Sequence, residues 1–280
     1  MADHSAHSME VFLNNGFIPA ANAQLPVTDL AIQRGYGIFD FFRVQEGVLL
    51  YVEDHIDRFL HSAELMHLPV RWSKQELLDI LHELNRRNGL RFAGVRMVLT
   101  GGDSPDAWQI GEPTLLVMQQ PMSLDAAPTV PKSVKVITHD YLRDIPQAKT
   151  INYTMGVWLQ QRMRELNADD VLYHHHGKVA EFPRCNVFIV NEEGLVVTPH
   201  QDVLAGITRK RLLEIDGVYP GPVTLNEVKS AREIFLTSST KRIQSVVMVD
   251  GKPVGDGKPG PIATELLQLL LQKERDYIKQ

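Results

Sequence analysis

A single cysteine, Cys185, stands in a chain of 280 residues. One thiol can neither staple the chain internally nor build a cysteine zinc site, and it suits a reducing compartment. No stretch approaches the roughly 18 apolar residues that a membrane-spanning helix needs. The segment 1–16 carries Asp3, His4 and Glu10 where a secretory signal would have a basic start and an apolar core. These absences predict a soluble, cytoplasmic protein with no membrane partner. Neither sign of charge dominates: 29 Lys and Arg are interspersed with 34 Asp and Glu, for a formal net charge of -5. That balance argues against a surface that coats nucleic acid. No G-x-G-x-x-G follows a strand, and there is no P-loop, no H-E-x-x-H and no G-x-S-x-G. The common dinucleotide, nucleotide, zinc-protease and serine-hydrolase readings therefore have little support.

What is present is an ordinary globular composition, 44% hydrophobic and 22% charged. It excludes a disordered, collagen-like or coiled-coil chain and allows one large or two medium domains. Residues 11–18 read as a hairpin turning at Asn14-Asn15-Gly16. Strands are expected at 37–44, 48–52, 95–100 and 114–119, and a helix over 54–67. The clearest helix is 74–88: Ser73 and Glu76 have capping-box spacing, Leu77, Leu81 and Leu84 share a face with Ile80, and Gly89 ends it. Residues 121–131, with three prolines and no period, read as a linker between a smaller domain, 1–120, and a larger one, 132–280. In the second half, strands are expected at 134–138, 171–175, 178–181, 186–190, 195–198 and 233–236. Helices are expected at 156–166, 208–215 and 263–278, the last with a stripe of Leu266, Leu267, Leu270 and Leu271. Clustered strands rather than strict alternation favour an α+β class.

Several fragments invite a chemical reading. His174-His175-His176 would alternate sides of a strand and cannot converge on one ion without a kink, so no metal is expected there. His55 and Arg58 are three apart on a helix, which by itself reads as a solvated face. Lys149 sits among small and apolar neighbours, and Glu181 ends a hairpin strand before Phe182-Pro183-Arg184-Cys185-Asn186. Gly206-Ile207-Thr208-Arg209 opens a helix whose backbone N–H groups suit an anion. Thr237-Ser238-Ser239-Thr240 offers further small donors after a strand.

Taken in order, these fragments resemble the class IV aminotransferases, the fold-type IV pyridoxal-phosphate enzymes. The resemblance runs from Arg34-Gly-Tyr-Gly-Ile-Phe-Asp40 through His55-x-x-Arg58, Lys149 with Asn152-Tyr153, Glu181 with Asn186-Val-Phe188, and Gly206-Ile-Thr-Arg209 to Thr237-Ser-Ser-Thr240. It covers nearly the whole chain. It implies two α/β domains with the cofactor, pyridoxal 5′-phosphate, in the cleft between them, and a homodimer. Lys149 then matches the Schiff-base lysine and proton shuttle, and Glu181 the carboxylate that keeps the pyridine nitrogen protonated. Arg58 matches the phosphate-binding arginine. Ile207 and Thr208, with Ser238 and Ser239, look like the rest of the phosphate cup, and Tyr153 resembles the branched-chain subgroup's tyrosine beside the cofactor's ring oxygen.

The departures from the family's patterns concern the substrate. D-amino acid aminotransferases usually carry Arg-x-His at the end of the strand aligned with 95–100, where this chain has Gly101-Gly102-Asp103. Branched-chain enzymes usually carry Tyr-x-Arg earlier on that strand; here Arg96 matches the arginine, but Gly94 stands in the tyrosine's place. Thr237-Ser-Ser-Thr240 is closer to the D-amino acid subgroup than to the branched-chain one. Arg184, Arg96 and Arg34 are the candidates for substrate carboxylates. The resemblance thus favours a D-amino acid transaminase using D-alanine or D-glutamate with 2-oxo acids such as 2-oxoglutarate or pyruvate. The alternatives are a branched-chain L-amino acid transaminase, then an aminodeoxychorismate lyase, and a non-catalytic protein that keeps the fold and binds the cofactor.

Overall fold

In the computed structural model, residues 9–123, 125 and 127–279 are described. Two positions of the expected linker, 124 and 126, lie outside the described residues. The chain forms two compact units, Met1–Leu124 with Ala148–Asn152, and Asp125–Gln147 with Tyr153–Gln280. The class is α+β with one sheet in each unit. The segment Ala148–Asn152 differs from the expected division: it belongs with the first unit because its backbone pairs with that unit's sheet, Phe39 N–H donating to the Lys149 carbonyl at 2.9 Å.

In the first unit the elements follow as β1 (Glu10–Leu13), β2 (Gly16–Pro19), α1 (Leu30–Arg34), β3 (Gly37–Gln45), β4 (Val48–Leu49), α2 (Val52–Leu65), α3 (Lys74–Asn88), β5 (Phe92–Thr100) and β6 (Leu115–Pro121). The six strands lie in the order β2-β1-β6-β5-β3-β4, and every pairing is antiparallel. Alternation along β3 and β5 sends Ile38, Phe42, Val44, Val95, Met97 and Leu99 to one face. There they join Ile56 and Phe59 of α2 and Leu77, Leu81 and Leu84 of α3 in one buried cluster. Each such side chain contributes about 1.5–3 kcal/mol by leaving water. The capping box of α3 is formed as expected: Ser73 accepts from the Glu76 N–H, the Glu76 carboxylate accepts from the Ser73 N–H, and Gly89 closes the helix at φ 60°.

The second unit runs β7 (Lys132–Asp140), α4 (Thr154–Trp158), α5 (Gln160–Glu165), β8 (Asp170–His175), β9 (Lys178–Val179), β10 (Asn186–Val190), β11 (Val196–Pro199), α6 (Ile207–Leu213), β12 (Val218–Gly221), α7 (Leu225–Ser230), β13 (Glu233–Ser238), β14 (Arg242–Val249), β15 (Lys252–Pro253) and α8 (Pro261–Ile278). Its sheet has the order β12-β11-β10-β13-β14-β7-β8-β9, with β15 beside β14. The single helix expected over 156–166 is two short ones meeting at Leu159. Strand β14 has no counterpart among the expected strands; it pairs with β13 on one side and with β7 in parallel on the other. The leucine stripe of α8 packs on Phe188, Phe235 and Ile243. Glu233, on β13, accepts the Ile262 and Ala263 N–H groups at 3.0 and 2.8 Å, so a carboxylate from the sheet caps this helix. A Cβ at Gly260 would lie 2.0 Å from Glu233 Cδ, which is why the residue before the helix carries no side chain.

No helix among the described residues is long and apolar enough to cross a membrane. A second ionic tie holds α8: Arg242 of β14 and Glu274, both buried, pair at 2.8 Å. Removing one partner strands the other charge. Glu274→Ala is expected to cost about 3–5 kcal/mol in urea unfolding. Glu83→Ala, at a solvent-screened cluster on α3, is expected to move the urea midpoint much less than Glu274→Ala does.

Candidate active site

In the first unit the site begins with a parity. Asp40 points to the same face of β3 as Ile38 and Phe42, into the apolar cluster, where its carboxylate is fully buried. Helix α2 answers with two residues one turn apart. Arg58 donates from Nε to Asp40 Oδ2 and from Nη2 to Oδ1, each at 2.8 Å. The His55 Nδ1 lies 2.7 Å from Oδ1. Both side chains are buried, so the pair read as a solvated face from spacing alone is the buried face of α2. Burial would raise the Asp40 pKa; the Arg58 guanidinium and then His55 outweigh it and hold the carboxyl far below its usual range. Burial lowers the pKa of His55, with Arg58 and Lys149 adding to that effect against the pull of Asp40.

One turn further on, Ser62 donates to the Arg58 carbonyl at 2.8 Å and accepts the Lys149 N–H at 3.1 Å. The same helix thus fixes Arg58 and the backbone of Lys149. The half-buried lysine lays its Nζ 4.5 Å from the centroid of Phe39. Arg96, exposed on β5, has its Cζ 5.0 Å from that same ring. Arg34 ends α1, exposed, and donates to the neighbouring Gln33 carbonyl at 3.0 Å.

In the second unit the centre is Glu181, buried just past β9. Its backbone carbonyl accepts the Tyr173 N–H at 2.9 Å, which carries the β8 ladder up to it. Its carboxylate receives Arg143 Nε at 3.1 Å and Nη2 at 2.5 Å on Oε1, and Asn186 Nδ2 at 3.1 Å with the Leu204 N–H at 3.0 Å on Oε2. A donor set of this kind matches an ionised carboxylate. Asn186 also donates to the Leu204 carbonyl at 2.9 Å, and a Cβ at Gly206 would lie 2.0 Å from its Oδ1. The glycine before α6 is therefore the space that lets Asn186 reach Glu181. Arg143 and its role are not visible in the sequence: it lies in an aperiodic loop 38 positions from its partner.

Ile207 and Thr208 open α6 behind Gly206. Arg209 anchors that turn by donating to Thr198 Oγ1 and the Pro199 carbonyl at 3.3 and 2.9 Å. Ser238 ends β13 and Ser239 follows in the turn to β14, where Ser238 Oγ accepts the Lys241 N–H at 3.1 Å. Beside them Thr237 Oγ1 is buried with no partner among the described residues. Tyr153, half-buried, immediately precedes α4. Arg184 is exposed in the turn between Phe182 and Cys185. Cys185 itself is buried, and burial pushes its thiol up to about 11, which leaves it inert.

The family model for amino-transferase class IV matches residues 37–249. The chain belongs to the class IV aminotransferases. It is 32% identical to the Arabidopsis thaliana "D-amino-acid transaminase, chloroplastic" over 92% of this chain and 73% of that one. It is 30% identical to the Methanocaldococcus jannaschii "Putative branched-chain-amino-acid aminotransferase" over 92% and 94% of the two chains. Its fold matches that of a T.th. branched-chain amino acid aminotransferase with pyridoxamine 5′-phosphate, with a TM-score of 0.86, 24% identity and coverage of 95% and 93%. The protein is accordingly a pyridoxal-phosphate-dependent aminotransferase acting on amino acids and 2-oxo acids. Its residues suit that cofactor. A buried carboxylate kept anionic by its donors can face a protonated ring nitrogen, and a buried hydroxyl with no partner among the described residues stands beside two serines that can meet phosphate oxygens.

Two measurements check the ionic cluster around Asp40. Asp40→Asn leaves Arg58 buried with its countercharge gone and is expected to cost about 3–5 kcal/mol at pH 7 in urea unfolding. His55 has a lowered pKa when folded, so the unfolded chain takes up the proton first as pH falls through about 6.5, and stability drops. His55→Gln is expected to flatten the urea midpoint between pH 7 and pH 5 relative to the unsubstituted protein.

Proposed function

We propose that the protein is a D-amino acid transaminase that moves an amino group between D-alanine or D-glutamate and a 2-oxo acid such as 2-oxoglutarate or pyruvate. When bound, pyridoxal 5′-phosphate supplies an aldehyde and an electron-withdrawing ring that accepts the electrons released at the substrate Cα. On this reading Lys149 Nζ holds the cofactor aldehyde at rest, then takes the proton from Cα and returns it during transfer. Glu181, kept anionic by Arg143, Asn186 and the Leu204 N–H, holds a proton on the ring nitrogen. Arg58, Ile207, Thr208, Ser238 and Ser239 bind the phosphate, and Tyr153 orients the ring.

The observation that carries the choice of substrate is the state of the arginines. Arg96 and Arg184 are exposed and have no carboxylate partner among the described residues, and Arg34 meets only a backbone carbonyl. Such guanidinium groups suit a dicarboxylate such as glutamate or 2-oxoglutarate better than a purely aliphatic side chain. The Thr237–Thr240 turn, of the D-amino acid type, supports the same reading. A branched-chain L-specific enzyme is the second reading, favoured by Tyr153, by Arg96 and by the Methanocaldococcus relative. We also read the protein as a cytoplasmic homodimer.

The deciding experiment mixes the pyridoxal-phosphate-loaded protein with the D and L forms of alanine, glutamate and leucine and follows the visible absorbance band. Conversion by D-alanine and D-glutamate is expected. Conversion by L-leucine alone would establish the second reading, and no conversion by any donor would leave a non-catalytic binder. Lys149→Ala is expected to lower the transamination rate by at least about 10³-fold.

A further inference from the structure

The face of β3 and β5 opposite the α2–α3 cluster carries its own constellation. Register pairs Phe39 with Val98, Phe41 with Arg96 and Arg43 with Gly94, and directly paired residues share a face. A Cβ built on Gly94 would lie 2.4 Å from Phe41 Cζ and 2.9 Å from its Cε2. The Phe41 ring therefore lies across Gly94, in space that any side chain there would need. From that position it flanks Arg96, whose Cζ is 5.7 Å from the Phe41 centroid and 5.0 Å from the Phe39 centroid. Both distances are within the range in which an aromatic face attracts a cation.

Arg96 is thus framed by two rings, and its N–H donors meet no carboxylate or carbonyl among the described residues. A guanidinium in that state is oriented yet free to receive an anion. Phe39 also receives Lys149 Nζ at 4.5 Å, so the amine and the guanidinium border one ring. Two cations beside one ring suit a substrate that reacts at one end and carries a carboxylate at the other. An acidic amino acid or 2-oxo acid has that shape.

We propose that Phe41 is the positioning residue that sets Arg96 for the distal carboxylate of an acidic substrate, and that Gly94 supplies the room for it. The proposal rests on the reading of Arg96 as a carboxylate-binding residue.

The test titrates the pyridoxal-phosphate-loaded enzyme calorimetrically with glutarate, an unreactive dicarboxylate, and with propionate, a monocarboxylate. Phe41→Leu keeps apolar volume but removes the ring, and is expected to weaken glutarate roughly 2- to 30-fold, the scale of a cation–π contact, while leaving propionate unchanged. Gly94→Ala is expected to do the same by displacing the ring, and Phe41→Tyr to retain the affinity. In an Arg96→Ala background neither substitution is expected to weaken glutarate further. In steady state, Phe41→Leu should raise KM for 2-oxoglutarate and leave KM for pyruvate and kcat in place. If Gly94→Ala does not fold, Phe41→Leu decides alone. Unchanged glutarate binding in Phe41→Leu, equal weakening of propionate, or additivity with Arg96→Ala would overturn the role of Phe41. Unchanged glutarate binding in Arg96→Ala would remove the underlying reading of Arg96, and this proposal with it.

Discussion

A carboxylate taken out of water must either take up a proton or be matched by donors, and each unit of this protein is arranged around one that is matched. In the first, Asp40 sits on the covered face of β3 and is met by Arg58 and His55 from α2. In the second, Glu181 is met by Arg143, Asn186 and the Leu204 N–H. Buried ion pairs of this kind add little stability over well-packed apolar residues, because desolvation offsets the attraction. Their consequence is geometric. The Asp40 cluster fixes the register of α2 on the sheet, and Ser62, one turn on, then locates the backbone of Lys149.

The spaces left by glycine matter as much as the groups that fill them. Gly206 lets Asn186 reach the Glu181 carboxylate, Gly260 lets Glu233 cap α8, and Gly94 lets an aromatic ring from the neighbouring strand lie across β5. In each case a side chain would collide with a group that has a defined partner. A strand that is structurally ordinary on its α2–α3 face thereby carries cations and rings on the other. The alternation of β3 separates the two jobs, with Asp40 and Phe42 inward, Phe39 and Phe41 outward.

Local signals made much of this fold legible. The capping box at Ser73 and Glu76, the leucine stripe of the last helix and the Asn14-Asn15-Gly16 turn each specify their element through neighbours a few residues apart. Strand β14 escaped because it follows the Ser239–Lys241 turn with neither Gly nor Pro to announce it, and its pairing with β7 joins segments more than 100 residues apart. The break at Leu159 interrupts a pattern that reads as one helix. In the site, His55 and Arg58 look like solvent-facing polar residues in the sequence, since the carboxylate that buries them lies 15 and 18 positions upstream. Arg143 has no signal at all, and Lys149 and Glu181 gain meaning only from the ordered resemblance to a family. The five-residue return of Ala148–Asn152 to the first unit depends on backbone pairing with β3, which no local pattern encodes.

At the centre of the proposed chemistry, Glu181 is held as an anion so that it can keep a proton on the cofactor's ring nitrogen. Glu181→Gln preserves size and most hydrogen bonds but removes the charge. The most direct test compares this variant with the unsubstituted enzyme, both loaded with pyridoxal 5′-phosphate, for transamination with whichever amino donor the protein prefers. The variant is expected to bind the cofactor still but to transaminate about 10²- to 10³-fold more slowly. A variant that holds the cofactor and works within about threefold of the original rate would contradict that role for Glu181.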